Sequence, residues 1–332
     1  MKKDKAKQPN ITEVAKAANV SRTTVSRAFN NPELLAKETV QRVLQAAENL
    51  GYASNHAARA LRTGRFGNIA IIVPDIENPF FPPVIRAAQS RADAAGVCVF
   101  LGDADENAAR EELLFSKFAS QVDGIVLVSS RMSQAQILRC ASLCPLVLIN
   151  RDIKGLPRVL IDSGTGIAAA VRHLAAEGHR HIVYVNGPIN SWSNQQRSES
   201  AREEAHRCGI TIDTLSVPRP TYAAGKHAAT LFPQGPTAAI AFDDLVAQGL
   251  MAMLAEQKIK VPAAFSIVGC DDVLGEYLFP TLTTVSSRTA DAGKSAVDLL
   301  LNLLQEGEMR DVRYLLDTEL ILRNSTAPRA GS

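Results

Sequence analysis

SRTTVSRAFN, Ser21 to Asn30, is the stretch on which the reading turns. Wound as a helix at about 100° per residue, it puts Arg22, Thr23, Ser26, Arg27 and Asn30 in one arc of about 140°. Thr24, Val25, Ala28 and Phe29 fall on the opposite side. An apolar side of that kind packs on a small core. The other side carries two guanidiniums, two hydroxyls and an amide, and no carboxylate.

Working outward, the residues before it read as a capped helix. Asn10 stands at the N-cap of NITEVAKAA and Glu13 three residues on, a capping box, with Ile11, Val14, Ala15 and Ala18 at helical spacing. Asn19 and Val20 make a short turn, and Ser21 is placed to cap the second helix. After it, KETVQRVLQAAENLGY (37–52) predicts a third helix that buries Val40, Val43, Leu44, Ala47 and Leu50 and ends at Gly51. Two short helices across a tight turn, the second polar-faced, form the helix-turn-helix pattern. In a DNA major groove, arginine can bond both acceptors of a guanine edge, Ser and Thr can reach bases or phosphates, and a carboxylate would be repelled. The bland alternative is a solvated face, which the surrounding charge argues against.

That charge is uneven. Residues 1–65 hold 12 Lys and Arg against five acids, a balance of +7, which leaves −5 for the remainder of a chain of net charge +2. A basic head on a mildly acidic body suggests that only the head meets a polyanion. At 332 residues the chain exceeds one ordinary core. It has no apolar run near the roughly 20 residues of a membrane span, and its basic N-terminus leads into no signal-peptide core, so a cytoplasmic protein is expected. Cys98, Cys140, Cys144, Cys208 and Cys270 are odd in number and scattered, and read as free thiols; no Cys/His set for a metal is complete.

From Gly67 the pattern changes. Short apolar runs, NIAIIV (68–73), VCVFL (97–101), GIVLV (124–128), LVLIN (146–150), RVLI (158–161), HIVYV (181–185), TAAIAF (237–242) and FSIVG (265–269), alternate with helix-like stretches such as VIRAAQSRADAAG (84–96). The fold class is therefore α/β: an all-α head, residues 1–51, then a linker at 52–66. Beyond it lies a doubly wound parallel-sheet core at 67–332, too long for one sheet and so expected in two lobes. Ligands of such sheets sit beyond the carboxyl ends of strands, and those ends are polar here: Asp75, Asn150, Asp162, Asp243 and Asp271.

In order and spacing, ITEVAKAANVSRTTVSRAFN (11–30), ENLGYASNHAARALRTG (48–64), IIVPDIENPFF (71–81), VDGIVLV (122–128), AAVRHLAAEGHRHI (169–182) and FSIVGCDDVLGEYLFPTLTTV (265–285) resemble the LacI/GalR family of transcriptional regulators. The resemblance spans about Asn10 to Arg323. It implies a core like the periplasmic sugar-binding proteins, a homodimer, and double-stranded palindromic operator DNA as partner. DNA contacts are expected from Ser21, Arg22, Thr23, Ser26, Arg27 and Asn30, and from a hinge helix carrying Asn55, Ala58 and Leu61, with Leu61 wedged into the minor groove. No leucine-heptad tail of the tetramer-forming kind is present. One departure is Ala36, where members often place a helix-capping Ser or Thr.

By the same resemblance the effector lies between the lobes, against Phe80, Phe81, Asn150, Arg197, Asp243 and Asp271; Asp75 joins them by location alone. Carboxylates and arginine suit neighbouring sugar hydroxyls, and an aromatic ring suits the apolar face of a pyranose. Each residue has a plainer reading: Phe80 and Phe81 as lobe core, Asp271 as a cap, Arg197 as a surface partner of Glu199 or Glu203. Asn150 and Pro220 depart from common family patterns, which leaves the ligand open between a sugar, a sugar acid and a non-sugar. SGTGIAAA (163–170) mimics a dinucleotide turn, but its glycines suit helix packing, and no motif for catalysis or a cofactor is present. The expectation is an effector-controlled repressor of carbohydrate utilisation, not an enzyme. Its rivals are a soluble sugar-binding protein with an incidental head and a purine-type corepressor-dependent repressor.

Overall fold

The computed structural model describes residues 9–30, 32–52, 65–307 and 310–329. It divides into two compact units, Met1–Phe66 and Gly67–Ser332.

The head holds α1 (Ile11–Ala17), α2 (Arg22–Asn30) and α3 (Lys37–Leu50). Asn10 Oδ1 accepts from the Thr12 and Glu13 amides while Glu13 returns a carboxylate to the Asn10 amide, which completes the capping box. Asn19 takes a left-handed φ of 53° in the turn, a conformation that Asn tolerates. Ser21 Oγ accepts from the Thr24 amide at 3.0 Å and starts α2. Val14, Ala15, Ala18, Val25, Ala28, Val43 and Ala47 make the core, with Phe29 packed edge-on to Tyr52 at 5.8 Å. Three expected core positions are not in it: Val40 is half-buried, and Leu44 and Leu50 are about two-fifths exposed. A core built on alanines draws the helices close and leaves the flanks of α3 outside. Ala36 is the N-cap of α3 with extended backbone and no side-chain cap, and Gly51 closes it at φ 65°.

The second unit has two six-stranded sheets. The first runs β11-β5-β4-β3-β1-β2, built from β1 (Asn68–Val73), β2 (Cys98–Asp103), β3 (Gly124–Val128), β4 (Leu146–Ile149), β5 (Arg158–Ile161) and β11 (Arg313–Leu316). The other runs β12-β10-β9-β8-β6-β7. Its strands are β6 (His181–Asn186), β7 (Thr211–Ser216), β8 (Ala238–Ala241), β9 (Ser266–Asp271), β10 (Thr283–Ser286) and β12 (Leu320–Ile321). All pairings are parallel except β12 on β10. Each sheet is covered on both faces by helices, so its central strands are apolar throughout.

The chain crosses between lobes three times. It passes from β5 into α7 (Ser163–Ala176) at Asp162, from β10 into α11 (Thr289–Glu306) at Ser287 and Arg288, and from β11 to β12. The last helix thus returns to the first lobe, where Ala292, Ala296, Val297 and Leu300 join its core and Gly293 lies on the Val84 backbone of α4 (Phe81–Ala94). Strand order reverses between β1 and β3 in one lobe and β6 and β8 in the other, so two switch points flank the cleft. The glycines of the dinucleotide-like turn serve packing. A Cβ on Gly164 would meet Ser200, and one on Gly166 would strike Val285.

Candidate functional site

On the head, Arg22, Thr23 and Arg27 are exposed, Ser26 is half-buried and Val25 and Ala28 are buried, so α2 shows its polar arc outward. Ser21 is exposed and spends its hydroxyl on the cap. Asn30 closes α2; its side chain, and the expected hinge residues Asn55, Ala58 and Leu61, lie outside the described structure.

Between the lobes, Phe80, Phe81, Asn150, Arg197, Asp243 and Asp271 come together around a narrow cavity of about 30 Å³, room for a water or two and far below a ligand pocket, so the lobes stand closed on it. Arg197, on α8 (Trp192–Arg207), is 3% exposed, which excludes a surface pairing. Its Nε donates to Ser163 Oγ at 3.0 Å, Nη1 to the Phe242 carbonyl at 2.5 Å and Nη2 to Asp271 Oδ1 at 2.9 Å. The guanidinium also lies 4.9 Å from the Phe242 ring centroid. Ser287 Oγ, at the lobe crossing, donates to the same Asp271 oxygen. Asp243 is the N-cap of α10 (Asp244–Glu256): Oδ1 accepts from the Val246 amide at 2.8 Å, and Oδ2 accepts from Asn78 Nδ2 of the other lobe at 2.9 Å. Asn150 Oδ1 accepts from the Ile161 amide, which leaves its Nδ2 with no acceptor among the described residues. Phe80 and Phe81 pack edge to face at 5.0 Å; they belong to the first lobe's core and to the cavity wall at once.

Asp75 is not on that wall. Its Oδ1 accepts from the Glu77 amide at 2.9 Å, closing the turn after β1, and its Oδ2 lies 3.8 Å from Arg219 of the second lobe. Arg219 reaches Asp105 across the cleft at 2.6 Å, so this pair of aspartates marks the rim. Seven wall residues escaped the sequence reading: Asn78, Glu106, Ser129, Arg131, Ser191, Ser193 and Phe242. Asn78 was hidden as a turn residue before Pro79, although it bridges the lobes. Arg131 and Glu106 form a two-point ion pair, Nε to Oε2 at 2.5 Å and Nη2 to Oε1 at 2.8 Å, from loops whose contact sequence spacing cannot announce. The hint available was position, since both follow strand ends.

Burial, then the nearby Asp271 charge, pushes the Asp243 carboxyl up to about 7. Burial also pushes Asp244 up to about 7, although the Thr284 hydroxyl and two backbone N–H groups, Val273 and Leu274, hold it. Burial raises Asp271 as well, with Arg197 pulling it back. Backbone strain gathers here too: Asp105, Glu106, Ser129, Asn150, Asp271, Asp272 and Arg288 all have left-handed φ without being glycine. Each costs of order 1–3 kcal/mol and persists where the surroundings enforce it, as at ligand clamps.

A helix-turn-helix unit joined to a two-lobed clamp around a polar cleft defines a class: DNA-binding regulators carrying a ligand-binding core. Residues 10–55 match the lacI family of bacterial regulatory proteins, and residues 171–326 match the periplasmic binding protein-like domain. The transcriptional repressor CytR of Escherichia coli K12 is 34% identical over 326 residues, 95% of this chain and 96% of that one. The Lac repressor dimer, solved bound to operator and the anti-inducer ONPF, is 25% identical, with a TM-score of 0.87 over 97% of this chain and all of that one. A LacI family regulator of Enterococcus faecium, solved with bound ribose, is 27% identical, with a TM-score of 0.72 over 79% of this chain and 99% of that one. The chain belongs to the lacI family of bacterial regulatory proteins and is a transcriptional regulator, not an enzyme.

Proposed function

We propose that the protein is a cytoplasmic, homodimeric repressor that reads a palindromic operator and releases it when a sugar or sugar derivative enters the cleft, controlling carbohydrate utilisation. The observation that carries the effector reading is the Asn78–Asp243 hydrogen bond, which joins the two lobes inside the cavity. A ligand that replaces or reinforces that bond acts on the lobe–lobe relation directly, and so has differential affinity for two core arrangements. Arg22, Thr23 and Arg27 read bases, with Ser21, Ser26 and Asn30 as supporting contacts; Asn55, Ala58 and Leu61 engage the minor groove between half-sites. Support for a second copy comes from the Val273–Thr281 loop, where Tyr277 is 84% and Phe279 99% exposed, apolar surface that a partner would cover. No helix among the described residues is long and apolar enough to cross a membrane.

The test is removal of residues 1–66. Sugar binding should survive and operator binding vanish; loss of both, or retention of DNA binding, overturns the division of labour. Operator affinity that rises with bound ligand would instead make the protein corepressor-dependent.

A further inference from the structure

Every cation on the cavity wall is already matched by a carboxylate. Arg131 spends Nε and Nη2 on both oxygens of Glu106 and Nη1 on the Ser129 carbonyl, with both side chains about 7% exposed or less. Arg197 is paired with Asp271 at 2.9 Å, again with both side chains almost fully buried. Asp243 adds a third carboxylate whose hydrogen-bond partners, the Asn78 amide and the Val246 N–H, are neutral. The wall therefore carries two cations, their two carboxylates and Asp243, so whether or not Asp243 holds a proton its balance is never positive. Arg151, the next cation in the first lobe, does not line the cavity and is offset by the buried Glu111. At the rim Arg219 is taken by Asp105 and Asp75.

We propose that the cleft selects an uncharged polyol ring and excludes its phosphorylated and carboxylated derivatives. The proposal rests on the sugar reading of the same cavity and narrows it to a chemical class. A hydroxyl both accepts and donates, so it fits an Arg–carboxylate pair by taking one of the guanidinium's two unspent N–H groups and giving its proton to the carboxylate beside it. Arg131–Glu106 and Arg197–Asp271 are two such readers, one from each lobe, and the Asn150 amide is a further neutral donor. Phe80 and Phe242 supply apolar faces for the ring. On this wall a phosphate or carboxylate finds no unpaired cation among the described residues: it must face Glu106, Asp243 or Asp271, or break a buried ion pair, and like-charge juxtaposition is strongly unfavourable. The left-handed backbone of Asp105 and Glu106, held in part by the Glu106 amide's bond to the Pro74 carbonyl, keeps the neutralising carboxylate in place.

The experiment is calorimetric titration of the intact protein with D-ribose, D-xylose and D-galactose, each against its terminal phosphate and its uronic acid, which keeps the ring. At least one neutral sugar should bind, and its two anionic derivatives should bind about a hundredfold more weakly. Glu106→Gln frees Arg131 and should narrow that gap to less than tenfold. An anionic derivative that binds wild-type protein as tightly as its neutral parent overturns the proposal and leaves the sugar reading standing. If none of the nine compounds binds while operator binding is intact, the sugar reading falls and takes this inference with it.

Discussion

The Arg197–Asp271 pair is the strongest internal commitment of the cleft, and a double-mutant cycle measures it. Both side chains are nearly inaccessible, 3% and 4% exposed. Arg197→Met removes three donated hydrogen bonds and leaves the Asp271 carboxylate with Ser287 Oγ as its side-chain donor. Asp271→Leu strands the guanidinium against Ser163 Oγ and the Phe242 carbonyl. Each single change leaves one buried charge unpaired and should cost about 3–5 kcal/mol. In a core of this size that lowers the melting temperature by roughly 6–20 °C. The double variant removes the charge along with its partner and should fall short of the sum of the singles by at least about 2 kcal/mol. Urea denaturation of the intact protein, followed through the core transition, gives the four free energies. Additivity within about 0.5 kcal/mol would mean that the pair is not coupled, and the electrostatic account of the cleft would be wrong.

Other consequences are as direct. Arg22→Ala should relax preference at one operator base position by about 1–3 kcal/mol, read from a panel of single-base operator variants; equal losses on specific and random DNA would contradict base reading. Ala36→Ser supplies the missing N-cap oxygen on backbone already extended at φ −62°, ψ 139°, and should stabilise the head by about 1 kcal/mol. Amide exchange of α3 in the intact protein would then slow roughly fivefold. Asp243 has a folded pKa of about 7, above its unfolded value, so its protonated form favours folding. That contribution is complete below about pH 4 and is lost as pH rises through 7. The stability of Asp243→Asn relative to wild type should accordingly climb between pH 4 and 7 and level off above; a flat difference would refute the shift.

How much of this was legible beforehand depended on how local the physics is. The Asn10–Glu13 capping box, the Ser21 cap and the uncapped Ala36 are decided within four residues, and the structure has them as read. Buried parallel strands such as GIVLV announce themselves because both of their faces are apolar. β7, TIDTLS, did not, since an edge strand with one wet face alternates and looks like a loop. β10, β11 and β12 are short, and only the returning chain that pairs with them makes them strands. Within the cleft, residues at strand ends were found by their position. The Arg131–Glu106 pair was missed because it is made by a contact across 25 residues. Asp75 shows the converse: a carboxylate at the right strand end that the turn itself consumes.

A metabolite in the cleft and an operator on the head should each loosen the protein's hold on the other. The direct measurement is operator affinity of the intact protein at about 0.15 M salt, on a duplex selected from a random pool, with and without a saturating neutral sugar that binds it. An inverted repeat should be preferred over scrambled duplex by at least about a thousandfold. The sugar should weaken operator binding by the same factor by which operator weakens sugar binding. An equal hold on selected and scrambled DNA, or a sugar affinity untouched by operator, would contradict this coupling.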